Sequence, residues 1–162
     1  MFTSPRILQA LSVASLVATL VATGVHHVFR LGAELVIPVL IAIALAMVLP
    51  LFYRRTSQRA WLYAYTVYAG LIVFWFGFLD GFLDHVVKAA GLDNITFLPG
   101  SEAEVVATVF QLWSVEASSA FYEGTGILSA ALALLTLIAT SAWVYRELPA
   151  PRAGAQGAST AP

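Results

Sequence analysis

The 162-residue chain contains no cysteine. That excludes disulfides, thiolate metal sites, cysteine nucleophiles and iron–sulfur clusters. Charge is scarce as well. Charged residues make up 10% of the chain and hydrophobic residues 60%, where a soluble domain is about one quarter charged. A soluble fold of this composition would lack the polar side chains to cover its own surface, so lipid must be the solvent for much of it. The net charge of −1 leaves no basic footprint for nucleic acid. No Gly-x-Ser-x-Gly elbow occurs, which removes support for a serine hydrolase built on that turn. Glu-x-x-His, the signature of di-metal carboxylate bundles, is also missing.

What the sequence does have is long uncharged runs. Four of them, at 7–29, 35–53, 61–79 and 127–145, approach or exceed the roughly 20 residues needed to cross a hydrocarbon core. Backbone polar groups in lipid must be satisfied within the segment, so each run reads as a helix. The expected fold is all-α: an integral membrane four-helix bundle formed by residues 1–148. Ala22-Thr23-Gly24 loosely resembles a signal-peptide cleavage site, but the preceding apolar run is longer than a usual signal core, so the first span reads as retained. Residues 149–162, rich in Ala, Gly, Pro and Ser, read as a disordered cytoplasmic tail.

Orientation follows from the cationic residues. Arg6, Arg54, Arg55, Arg59, Arg146 and Arg152 fall on one side, and only Arg30 and Lys88 on the other. The first side is therefore expected to be cytoplasmic and to hold both termini. The Ala-, Val- and Leu-rich spans point to a bacterial inner membrane. The acids are distributed the opposite way, with Glu147 alone on the cytoplasmic side.

The outer segment 80–124 is long for a plain loop. Residues 80–90 should continue the third helix. Gly, Asp-Asn and Pro in 91–100 should form a turn. Ser101-x-x-Glu104 resembles a capping box, and Val105, Val106, Val109, Leu112 and Trp113 have helical spacing. An additional amphipathic helix is expected there, running to about Ser118 and lying on the membrane surface or against the bundle.

Polar residues form stripes. Ser12, Ser15, Thr19, Thr23, His26 and Arg30 recur at steps of three and four, so they share one face of the first helix, the face expected to pack against its neighbours. On the third helix, Gly70, Gly77, Gly81 and Asp84 share a face, and Gly77-x-x-x-Gly81 has the small-residue form that lets helices approach closely. That face is a candidate contact for other membrane subunits or for a homo-oligomer. Under α-helical geometry His85 lies about 100° round from Asp84.

The chemistry-bearing groups gather at the non-cytoplasmic ends. His26, Asp80, Asp84, His85, Glu116 and Glu123 are the candidate metal ligands, with His27, Arg30, Glu34 and Tyr122 in support. Imidazole with carboxylate suits iron, zinc, manganese or copper, and two histidines on facing helices could instead hold a haem b. The leading expectation is a metal- or haem-binding membrane protein, a redox enzyme or a subunit of one. Two other readings stand beside it. One is a non-catalytic accessory or assembly subunit, in which Arg30 with Glu34 and Lys88 with Asp84 are ordinary ion pairs. The other is a metal-free acid–base enzyme that uses a carboxylate pair on a lipid-soluble substrate.

Overall fold

The computed structural model describes residues 4–92 and 112–148. Among them the chain folds into four helices without strands: α1 (Pro5–Leu31), α2 (Val36–Thr56, entered through a 3₁₀ turn at Ala33–Leu35), α3 (Arg59–Ala89) and α4 (Val115–Glu147). Each is long and apolar enough to cross a bilayer. Exposed Ile37, Leu40, Ile41, Val67, Leu71 and Ile138 cover the outside, while the polar side chains turn inward. That is the reverse of a soluble bundle and suits a lipid surround.

The helix ends have local causes. The Ser4 hydroxyl accepts the Ile7 N–H, and Pro5 follows at the first helical turn, where its missing donor costs nothing. α1 stops at Gly32, whose φ of +124° a side chain would resist. α4 opens on Ser114, whose hydroxyl accepts the Ala117 N–H at 3.3 Å.

This last cap corrects the expected amphipathic helix. Its first part, including Ser101 and Glu104, lies outside the described residues, as does the tail 149–162. Its expected end does not hold: Leu112, Trp113 and Ser114 are not helical, and residues 115–118 are instead the first turn of α4. The fourth helix thus begins twelve residues before the expected span at 127, because Ser114 caps the backbone there.

α3 continues past the expected span as anticipated, but with a changed winding. From Val73 to Val86 its backbone bonds run i→i+5, a π-helix, rather than i→i+4. The wider turn puts residues four and five apart on one face. Gly77, Asp80, Gly81, Asp84 and His85 are all buried, and His85, five residues after Asp80, comes round to the same side of the helix.

α1 packs most extensively on α4, and the π segment of α3 packs on α4 next to it. The polar stripe of α1 forms the first seam, as expected. Ser12 Oγ lies 2.6 Å from Thr140 Oγ1 and 2.8 Å from Tyr65 Oη, and Thr19 Oγ1 lies 3.3 Å from Thr136 Oγ1. Glycine forms the second seam: a Cβ on Gly77 would run into Ala133, and one on Gly81 would meet Ala130. The Gly77/Gly81 face is therefore an internal contact with α4, not a surface open to another copy. Gly70 stands apart from it, exposed and with no neighbour within 4 Å of an added Cβ. Leu16, Leu20, Leu62, Tyr65, Ile72 and Trp143 form an apolar core toward the Arg54–Arg59 end. The opposite end of the bundle holds the histidines.

Candidate metal centre

Three helices converge on one buried group. His26 from α1 and Asp80 and His85 from α3 each offer a ligand atom within 4.8 Å of the others. Their relative exposures are 1%, 8% and 2%. α4 supplies the wall behind them.

The way the imidazoles are held decides what they can do. His85 Nδ1 lies 2.8 Å from Glu123 Oε2. His26 Nδ1 lies 3.1 Å from the Tyr122 carbonyl and 2.9 Å from Thr125 Oγ1. His27 Nδ1 lies 2.9 Å from the Thr23 carbonyl. Carbonyls and ionised carboxylates only accept hydrogen bonds, so Nδ1 donates in all three rings. Nδ1 therefore carries a proton in each ring, and in the neutral imidazole Nε2 is the lone-pair donor. His26 Nε2 and His85 Nε2 are buried and have no hydrogen-bond partner among the described residues, and the same is true of Asp80 Oδ2. Buried polar atoms are partnered in the large majority of cases. These three atoms, side by side and unpartnered among the described residues, make up the donor set of a cation site.

His27 stands at the rim, its Nε2 3.8 Å from Asp80 Oδ1. Its ring meets that of His26 edge-on at 5.2 Å between centroids. Tyr122 stacks on the His26 ring at 4.0 Å and 20°. Arg30 donates to the Tyr122 hydroxyl and lies over its ring, which closes that side. Asp84 is buried one turn beyond Asp80.

Several expected roles shift. Glu123 backs His85 instead of joining the three-atom group, and it also accepts from Lys88, so Lys88 reaches across to α4. Glu116 is exposed in the first turn of α4. It shares a face with Glu123 but sits two turns away, about 10 Å along the axis, too far to join the cluster. Glu34 is exposed on the 3₁₀ turn and is not part of the cluster either.

Two residues at this site carried no signal in the sequence reading. A Cβ on Gly126 would occupy the place of the His85 ring, so glycine is what allows that ring to lie flat against α4. Thr125 accepts from His26 while donating to the Phe121 and Tyr122 carbonyls. A pattern was available: buried Ser118, Tyr122, Gly126, Ser129, Ala133, Thr136, Thr140 and Trp143 recur at steps of three and four. It marks the inner face of α4 and places Gly126 one turn from Tyr122.

The chain matches no protein-family model, no curated protein and no solved structure. Its helical membrane-like fold and its His/Asp cluster therefore have to be read on their own chemistry.

Proposed function

We propose that this protein is a membrane-embedded metal-binding protein that holds one divalent transition-metal ion through His26 Nε2, Asp80 and His85 Nε2. The carrying observation is the trio of buried ligand atoms without partners among the described residues. The imidazoles behind it are backed as metal-bound histidines usually are, with the second ring nitrogen given to a carboxylate or a carbonyl. An ion would satisfy all three atoms at once, and its charge would offset the cost of a buried carboxylate.

The donor set narrows the ion. Two imidazoles and a carboxylate with no sulfur suit zinc, iron(II) or manganese over copper(I). Three protein ligands leave a coordination position open, as catalytic sites do and closed structural sites do not. This favours an enzyme over a purely structural centre. An ion is also favoured over a haem. The His26 and His85 rings meet edge-to-face at 4.8 Å between centroids, which leaves no slot for a macrocycle between two axial ligands. The distribution of Arg and Lys supports a site toward the non-cytoplasmic side.

The test is elemental analysis of the protein purified in mild detergent, together with His26→Ala and His85→Ala. One equivalent of zinc, iron or manganese in the wild type and little in either variant is the expected result. A folded wild-type protein without stoichiometric metal, even after incubation with each ion, sinks the reading.

A further inference from the structure

The hydrogen bonds behind His85 do not end at Glu123. The two oxygens of that carboxylate are divided: Oε2 accepts from His85 Nδ1, and Oε1 accepts from the Lys88 ammonium. Lys88 lies three residues after His85, where the wide winding of α3 gives way to a last α-helical turn at Val87–Ala89. Glu123 stands on α4. One carboxylate of α4 is therefore gripped by two side chains of α3. Side-chain exposure falls along this chain of groups, from 32% at Lys88 and 25% at Glu123 to 3% at His85. One end is open to the surroundings, and the other is a candidate metal ligand.

The grip matters because glutamate is a poor anchor on its own. Its side chain is long, and ordering it costs conformational entropy. Being partly exposed, its carboxylate also meets competition from water for every hydrogen bond it makes. The bond to His85 fixes one oxygen and leaves the other free to swing. The Lys88 ammonium fixes the second, so the carboxylate stays aimed at Nδ1. A cation there also has an opposite effect, since it draws on the negative charge of Glu123 and weakens its pull on His85. Lys88 is partly exposed, so water and salt screen that charge effect. The direct hydrogen bond to Oε1 is a contact and survives screening better. Positioning therefore outweighs the loss of charge.

We propose that Lys88 is a positioning residue of the metal centre: by holding Glu123 Oε1 it keeps Oε2 on His85, and so ties metal affinity to an ion pair at the open end of α3. The inference rests on the metal reading of His26, Asp80 and His85, and adds to it a control point that the surroundings can reach. Salt is the simplest agent to act there. The Debye length shrinks from about 30 Å at about 0.01 M to about 3 Å at about 1 M. Raising the salt therefore loosens the Lys88–Glu123 pair, while the buried trio is screened much less.

The test is the zinc affinity of the detergent-solubilised full chain, measured by competition with a chromophoric chelator. It compares the wild type, Lys88→Met, Lys88→Arg and Lys88→Met combined with Glu123→Gln. Lys88→Met should bind zinc about five-fold more weakly, less than the 10- to 100-fold loss typical of removing a backing group itself. Lys88→Arg, whose guanidinium can still donate to Oε1, should bind nearly as the wild type does. In the Glu123→Gln background Lys88→Met should cost nothing further, because Lys88 acts through that carboxylate. Affinity should also fall more steeply with salt in the wild type than in Lys88→Met. Zinc bound equally or more tightly by Lys88→Met overturns the proposal. So does a further loss in the Glu123→Gln background, a failure of arginine to rescue, or an equal salt dependence. Zinc-loaded wild type matched by Lys88→Met leaves the metal reading standing and sinks this inference alone. A folded wild type that binds no zinc sinks this inference, and the metal reading with it if iron and manganese are refused as well.

Discussion

The His85 imidazole is fixed from behind by Glu123, Nδ1 to Oε2 at 2.8 Å, while its other nitrogen faces His26 and Asp80 without a partner among the described residues. One hydrogen bond between α3 and α4 therefore sets both the tautomer and the direction of a candidate ligand. Loss of such a backing group typically costs 10- to 100-fold in metal affinity.

Glu123→Gln tests this directly. The amide keeps the shape and can still accept a hydrogen bond, but it loses the charge that raises the basicity of His85. Metal affinity, measured by competition with a chelator, should fall at least about ten-fold while the helical circular dichroism is retained. Unchanged affinity would mean that Glu123 serves only as the ion-pair partner of Lys88.

Gly126→Ala separates packing from helix propensity. Alanine is favoured over glycine inside a helix by about 1 kcal/mol, so propensity alone predicts a more stable protein. The new Cβ would collide with the His85 ring, so the ring must swing away from its place. The expected outcome is loss of bound metal with no gain in Tm. A stabilised variant with full metal content would show that the ring is not seated by this glycine.

Asp80→Asn should change sign with metal. Without an ion, Asp80 is a buried carboxylate whose Oδ2 has no hydrogen-bond partner among the described residues, an arrangement that costs free energy. In chelator the variant should therefore melt at or above the wild type. With saturating metal the order should reverse, because the wild type gains about 2.7 kcal/mol at a hundred times its Kd and the variant gains little. Melting curves that keep one order in both conditions would remove Asp80 from the ligand set.

Ser12→Ala probes the remote seam. Its hydroxyl sits between Tyr65 and Thr140 at the far end of the bundle. Interhelical hydrogen bonds in membranes average about 0.6 kcal/mol, so a loss of about 1 kcal/mol is expected in denaturant titration, with metal content untouched. A loss of metal in this variant would show that the two ends of the bundle are coupled.

Much of this was legible in the residues themselves. Four apolar runs read as helices because lipid leaves the backbone no alternative. The spacing of Ser12, Ser15, Thr19, Thr23 and His26 identified the inner face of α1, since period alone assigns a face once the helix type is known. The same logic applied to α3 does not by itself bring His85 and Asp80 together. It assumed about 100° per residue, under which residues five apart diverge by about 140°. Only the folded chain, with Gly77 and Gly81 pressed on Ala133 and Ala130, shows the i→i+5 winding that buries Asp80 and His85 together. Sequence determined which side chains could bind an ion and near which end of the bundle they lie. Tertiary structure decided which of them meet: it seated His85 on Gly126, turned Glu123 into its backing group and left Glu116 and Glu34 exposed. The physical reason is that helical period is a local property of the chain, whereas winding, register and the close approach of neighbouring helices depend on contacts between residues far apart in it.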